Sequence, residues 1–187
     1  MEKQQPTYKH FIITLFNLKI WKEDKTRRAT QTAEWLTQRF DLFERFCLPS
    51  VAHQTNRNFT WLCLFDKDTP AEMRQRIEGY RQQVPQLRPC FFSAEEAQEF
   101  LSHEEAVNCR FIRRTVKGLI SPDDEFVITS NLDNDDALSC DYVERVQHLF
   151  LADRRRTLYS FVWGMQYFVR LNAIVRMHYP HNHFLTL

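Results

Sequence analysis

Apolar residues along this chain fall into short runs separated by polar stretches, and the spacing inside each run predicts its structure. Residues 9–16, KHFIITLF, combine β-branched and aromatic side chains in a compact run, which predicts a buried strand. Residues 17–28 are polar and loop-like. From 30 to 53 the apolar positions Trp35, Leu36, Phe40, Phe43, Phe46 and Cys47 recur at helical spacing, with Pro49 forcing a kink or a new turn. Residues 54–58 then form a loop. Residues 59–65, FTWLCLF, predict a second strand. Thr69 can cap a helix that starts at Pro70 and runs to 83. Residues 87–92 predict a short strand, and Ser93 with Glu96 forms a capping box for the next helix. A basic helical stretch covers 105–119, and Ser121 to Asp124 reads as a turn.

Residues 125–132, EFVITSNL, predict another strand, followed at once by the acidic run Asp133-Asn134-Asp135-Asp136. Ser139 can cap a helix over 140–151. Residues 157–178 alternate as two or three strands, with Gly164 near a turn. The closing segment HYPHNHFLTL has no clear period. Strands and helices thus alternate over most of the chain. This predicts an α/β domain whose mostly parallel sheet has helices on both faces, with ligands bound outside the carboxyl ends of the strands.

Composition agrees. With 187 residues the chain fits a single domain, and 43% hydrophobic residues supply a sizeable core. Three glycines are too few for an all-β fold built on tight turns. A net charge of +1 argues against nucleic acid as the main partner, despite arginines at 110–114 and 154–156. Five cysteines without C-x-x-C spacing exclude a zinc ribbon and a disulfide framework. Cys47, Cys63 and Cys90 lie in apolar runs and read as buried free thiols of a reducing compartment. The polar N-terminus shows no signal peptide, and no apolar run approaches the roughly 20 residues of a membrane span. A cytoplasmic location is expected, and action at a membrane surface on a lipid-linked acceptor stays open.

The chain has no G-x-G-x-x-G after its first strand and no G-x-x-x-x-G-K-[ST]. Phosphates, if bound, must therefore be neutralised by a divalent metal, by arginine, or by both. That sharpens the meaning of the acidic run. In extended backbone, Asp133 and Asp135 face one side and can converge on a single hard cation such as Mn2+ or Mg2+. A metal there would bridge a diphosphate and stabilise it as a leaving group. Solvated turn and cap chemistry is the competing reading. An EF-hand is excluded because Ala137 and Leu138 occupy its ligand and glycine positions. A D-x-D-x-T phosphatase is disfavoured, since Ala137 replaces the Thr.

The segments FIITLFNL (11–18), LFERFCLPSVAHQT (42–55), NFTWLCLFDKDTP (58–70) and LDNDDALSCDYV (132–143) resemble the putative rhamnosyltransferase family, similar to GT-A-fold, family-2-like glycosyltransferases. The resemblance runs from the first strand to the terminal YPHNHFLTL, and the combination of these segments is specific where D-x-D alone is not. It implies a nucleotide-sugar donor, a deoxythymidine or uridine diphosphate sugar such as the rhamnose one. It also implies a divalent metal and a saccharide or lipid-linked acceptor. Asp133 and Asp135 match the metal-binding positions, and Asp136 matches the second Asp of a D-x-D-D form; Asp135 and Asp136 are the expected catalytic carboxylates. Thr14, Phe16 and Asn17 would line the nucleoside pocket. Asp66 would meet the base or ribose, and Arg110, Arg113 and Arg114 would lie near the diphosphate. Leu15 and Ser130-Asn131 stand where the family pattern carries Arg and Thr-Arg. The resembling proteins continue past the segment that ends this chain, which implies a domain cut short at its C-terminus and, unless the acidic run supplies it, the acceptor's base beyond Leu187.

His178, His181 and His183 could complete a metal shell, though a polar loop around Pro180 explains them equally. Trp163 and Tyr167 read as an acceptor-stacking pair or as strand core. Arg154 to Arg156 read as a helix end. Two functions compete with metal-dependent transfer. One is a non-catalytic module that binds nucleotide sugar. The other is a metal-dependent phosphohydrolase or nuclease, which would need Asp66 and Asp68 as a second acidic cluster.

Overall fold

A computed structural model of the protein describes residues 6–23, 27, 29–98, 110–182 and 184–187. Its centre is strand β1 (Tyr8–Leu15), flanked in parallel by β2 (Thr60–Asp66) and β4 (Phe126–Asn131). Strand β3 (Leu87–Phe92) extends the parallel sheet beyond β2. On the other side β8 (Leu185–Thr186) runs antiparallel to β4, and β5 (Tyr159–Ser160) pairs with β8. The six-stranded order is β3-β2-β1-β4-β8-β5. This mixed α/β sheet with flanking helices is compatible with a GT-A-like fold.

The apolar runs of β1 and β2 follow from burial on both faces. Alternate side chains enter two separate cores. Ile12, Trp61, Cys63 and Phe65 join the larger one, beneath α1 (Ala33–Leu42), α2 (Leu48–Ala52), α3 (Ala71–Gln83) and α6 (Tyr142–Asp153). Phe11, Ile13, Leu62 and Leu64 join the smaller, which receives Ala97 from α4 (Ala94–Gln98) and Val116 from α5 (Arg110–Lys117). Phenylalanine dominates the larger core. The Phe16 ring lies 4.6, 5.0 and 4.8 Å from those of Phe40, Phe43 and Phe65. Each fully buried ring of this kind stabilises the fold by about 1.5–3 kcal/mol.

Local signals hold in some places and fail in others. The Ser93–Glu96 capping box forms in both directions, at 2.9 and 3.2 Å. The 30–53 segment is one near-continuous helix in which a π turn (Phe43–Cys47) joins α1 to α2. There Leu48 N reaches back to the Phe43 carbonyl. The wider turn comes just before Pro49, which lacks an N–H and crowds the carbonyl four residues back. Three expectations need correction. Thr69 does not cap α3; its hydroxyl donates to the Asp66 carbonyl at 2.6 Å, and Pro70 precedes the helix. Ser139 does not cap α6, which starts at Tyr142 after Asp141. Gly164 is not near a turn but inside β6 (Trp163–Phe168).

Strand β6 pairs with β7 (Ala173–His178) in a separate antiparallel hairpin. The hairpin turns through Asn172, whose φ of 48° is the left-handed conformation that asparagine tolerates. Trp163 and Tyr167 stand on this hairpin, so neither is sheet core. Trp163 is exposed, with Arg176 over its ring at 4.4 Å, and Tyr167 meets Phe46 edge-on. Arg154 to Arg156 are exposed just past the end of α6, where positive charge suits the helix dipole. The start of the expected 105–119 helix, Cys109 and His183 lie outside the described residues. Among the described residues no helix is long and apolar enough to cross a membrane.

Candidate functional site

Strand β4 ends beside β1, where Leu132 N donates to the Ile13 carbonyl at 3.0 Å. The chain then leaves the sheet in a turn closed by Asp136 N on the Asp133 carbonyl at 3.3 Å. The extended i, i+2 geometry expected for Asp133 and Asp135 is therefore replaced by a turn. The turn achieves more: carboxylate oxygens of Asp133, Asp135 and Asp136 all lie within 4.8 Å of one another. Asn134 points the other way. It is buried, and its amide donates to the Phe16 carbonyl at 2.8 Å.

The segment FCLPSVAHQT, the end of the π turn, α2 and the residues just after it, holds this turn from behind. Cys47 Sγ contacts the Asp133 carbonyl at 3.6 Å. Ser50 Oγ accepts from Leu138 N at 3.2 Å. Gln54 donates to the Ser139 carbonyl at 2.7 Å and accepts from Val143 N at 3.0 Å. Thr55 N donates to the Cys140 carbonyl at 2.8 Å. The thiol of Cys47 is pushed well up, first by burial and then by the negative field of Asp136, Asp135 and Asp133.

In front of the turn opens a cavity of about 790 Å3. Leu15 and Phe16 from the end of β1, Leu18, Ile20 and Trp21 from the following loop, and Asp133 to Asp135 line it. Thr32 caps α1 by accepting from Trp35 N at 3.1 Å, which places the helix's first turns on the opposite wall. There Trp35 and Arg39, four residues apart, share one face. The guanidinium of Arg39 lies 5.4 Å from the centre of the Trp35 ring, pairs with Asp135, and donates to Asn134 Oδ1 at 3.3 Å. The indole N–H of Trp35 is buried without a hydrogen-bond partner. The sequence places Trp35 among the apolar positions of the 30–53 helix and does not single out Arg39. The available signal was their i, i+4 spacing on a helix leading to the acidic run.

The other expected donor residues are placed as follows. Phe16 lines the cavity, with its ring held in the aromatic core and its carbonyl taken by Asn134. Thr14 is fully buried and accepts from the Trp61 indole at 2.9 Å. Asn17 is buried and braces the end of β2 by accepting from Asp66 N at 3.2 Å and donating to Thr69 at 3.1 Å. Asp66 is almost fully buried. Its Oδ1 takes Lys19 at 3.1 Å and Asp68 N at 2.8 Å, while its Oδ2 has no hydrogen-bond partner. Lys19 also pairs with Asp68 at 2.7 Å, and both carboxylates, Asp68 foremost, raise its pKa. Thr14, Asn17 and Asp66 are not among the residues lining the cavity. Neither are Arg113 and Arg114; both are exposed on α5, and Arg114 pairs with Glu96 at 2.6 Å.

The three clustered carboxylates supply the hard oxygen donors that Mn2+ or Mg2+ prefers, at a spacing one ion can bridge. Among the described residues no histidine joins the group; His178 and His181 are exposed elsewhere. A comparison with curated proteins returns no match. The family described as putative rhamnosyl transferase matches residues 14–187, from the end of the central strand to the last residue. Nearly the whole chain is thus covered, including the acidic turn, its helical support and the cavity, and the chain belongs to that glycosyltransferase family.

Proposed function

We propose that this protein transfers a sugar, rhamnosyl in the first instance, from a nucleoside diphosphate donor to an acceptor hydroxyl with the help of Mn2+ or Mg2+. The observation that carries the reading is the meeting of Asp136 with Asp133 and Asp135, the latter two lining a cavity on the carboxyl edge of a parallel sheet. That edge is where open α/β sheets bind ligands. In this reading Asp133 and Asp135 hold the ion. When bound, the ion neutralises the diphosphate and makes it a better leaving group. Asp136, the third carboxylate, remains to take the proton of the acceptor hydroxyl, the base an inverting transfer requires.

The donor's nucleoside lies along the ends of β1 and β2. Asp66 reaches the base or ribose only if the strand ends part, since its unpartnered Oδ2 is buried and lines no part of the cavity. Thr14 and Asn17 act by fixing the strand ends, and Phe16 by shaping the cavity floor. Arg113 and Arg114 reach the diphosphate only if Arg114 exchanges its Glu96 partner for the ligand. The whole chain acts as one donor-binding domain, soluble in the cytoplasm, and takes a saccharide or lipid-linked acceptor. The phosphohydrolase alternative loses ground because Lys19 bridges Asp66 and Asp68, and neither joins the clustered carboxylates.

Thermal-shift measurements with nucleoside diphosphates and their sugars, with and without manganese, test the proposal. Metal-dependent stabilisation by deoxythymidine or uridine diphosphate, lost in Asp135→Ala, is the expected result. Stabilisation by none of them sinks it. Sugar release from a bound donor then separates an enzyme from a module that only binds.

A further inference from the structure

We propose that Arg39 is the cation that receives the donor's diphosphate, and that it guards the metal position until the donor arrives. This inference rests on the donor-site reading above. Among the described residues that line the cavity, Glu23, Asp133 and Asp135 are acidic and Arg39 is the one cation. Of the charged groups that line it, Arg39 alone attracts an anionic diphosphate, beside any bound metal. Leu15, at the end of the central strand, offers no charge.

Arg39 is built for two alternative partners. Its guanidinium carries five donors in a planar fork suited to carboxylate and to phosphate alike. In the structure it pairs with Asp135 and donates to Asn134 Oδ1. Its side chain is three-quarters shielded, and the nearby Trp35 ring limits where it can go. The pairing lowers the repulsion among three carboxylates held within 4.8 Å. It also occupies one of the two oxygens through which Asp135 could hold a metal. A divalent ion arriving alone competes with that charge-assisted bond and sits beside a positive guanidinium. When the ion arrives with a diphosphate, Arg39 exchanges one anion for another and loses nothing. Metal and diphosphate therefore favour each other's binding through Arg39, and the coupling is reciprocal.

Replacing Arg39 moves the two affinities in opposite directions, which general loss of structure does not do. Manganese binding to the full chain is measured by isothermal titration, alone and then with deoxythymidine diphosphate at saturating manganese. Arg39→Gln is expected to bind manganese alone about tenfold more tightly and the diphosphate about tenfold or more weakly, within the usual span of coupling between sites. Arg39→Lys keeps the charge without the fork. It should hold manganese affinity near that of the wild type and lose only part of the diphosphate affinity.

Tighter manganese binding in Arg39→Lys equal to that in Arg39→Gln overturns the charge argument, even if the Gln variant folds poorly. A fall in manganese affinity in Arg39→Gln, or a change in only one of the two affinities, overturns the exchange. If the wild type binds the diphosphate with manganese and Arg39→Gln behaves identically, this inference fails and the donor site stands. If the wild type binds no diphosphate with manganese, both fall together.

Discussion

The side-chain amide of Asn134 donates to the main-chain carbonyl of Phe16 at 2.8 Å, and that bond ties the acidic turn to the end of the central strand. Asn134 sits within the acidic run yet is buried, its amide nitrogen on the Phe16 carbonyl and its oxygen taking Arg39, so its role is to hold the turn on which Asp133 and Asp135 line the cavity. Asn134→Ala leaves a buried carbonyl without its donor, at a cost of about 1–3 kcal/mol. Chemical denaturation should show that loss. Manganese-dependent stabilisation should weaken too, because the three carboxylates no longer keep their spacing. Asn134→Asp should be worse than Ala, since it sets a carboxylate against a carbonyl oxygen. Equal stability of the Asp variant and the wild type contradicts the assigned orientation.

His10 links the pH dependence of the fold to the closing strand. It is buried, and burial lowers its pKa from 6.5 to about 3. Gln147 Nε2 can only donate, so His10 Nδ1 accepts at 3.3 Å and Nε2 carries the proton to Ser130 Oγ at 2.9 Å. Ser130 in turn meets Thr186 at 2.7 Å, and Thr186 meets Tyr142 at 2.8 Å. The folded pKa lies below the unfolded one. The stabilisation is therefore complete above pH 6.5 and is lost as the pH falls towards 3. The slope from this group approaches about 1.4 kcal/mol per pH unit. Urea unfolding between pH 7 and about 5.5, above the main carboxylate range, should show it in the wild type and not in His10→Gln. Parallel curves for the two rule the assignment out.

How far the sequence reveals this architecture depends on how local each cause is. Strands β1, β2 and β4 are legible because burial on both faces leaves long apolar runs. The Ser93–Glu96 box is legible because its partners are three residues apart. The acidic run stood out by composition, but the turn that gathers Asp136 with Asp133 and Asp135 did not, since an extended backbone explains two of them equally well. Arg39 was hidden for a different reason. Helical periodicity shows which face of α1 is apolar, yet the partner of Arg39 is 96 residues away and belongs to another element. The same holds for Cys47, Ser50 and Gln54. They read only as part of the segment LFERFCLPSVAHQT, and the packing of that segment behind the turn gives them a job. Gly164 misled because glycine signals turns strongly, whereas the hairpin reverses at Asn172.

Asp135→Asn separates the charge of the turn from its fold. The amide still offers Arg39 an acceptor, and the pair it replaces is partly exposed on both sides. Pairs of that kind contribute about 1 kcal/mol or less. The variant should therefore melt near the wild type without metal and lose the additional stabilisation that manganese and a nucleoside diphosphate confer. A large loss of metal-free stability would mean that the Arg39–Asp135 pair is a structural support and that the turn depends on it to fold.

Phe40 tests the aromatic core that carries α1 and so positions Arg39. Its ring is fully buried and packs within 6.5 Å of the rings of Phe16, Phe65 and Tyr80. Phe40→Ala should cost about 3–5 kcal/mol by leaving a cavity there. Phe40→Leu should cost less, since more of the volume is retained. Because Arg76 lies 5.1 Å over the same ring and pairs with Asp41 and Glu44, part of the loss should come from loosening α1 against α3. A loss below 1 kcal/mol would place the ring outside the core.

Thiol reactivity reports whether the acidic turn stays packed on its helix. Cys140 is exposed, Cys90 is half-buried with its pKa raised to about 11, and Cys47 and Cys63 are buried, which pushes theirs well above the ordinary thiol range. Only the thiolate alkylates readily. Among the described cysteines, iodoacetamide labelling of the native protein, read by peptide mass spectrometry, should therefore modify Cys140 first, Cys90 more slowly, and Cys47 and Cys63 only on unfolding. Cys47 is the informative site because its sulfur rests on the Asp133 carbonyl and its thiol feels all three carboxylates. If Cys47 labels as fast as Cys140 in a protein whose Cys63 stays protected, the turn opens away from α2 in solution. The carboxylates would then lack the fixed spacing on which metal binding depends.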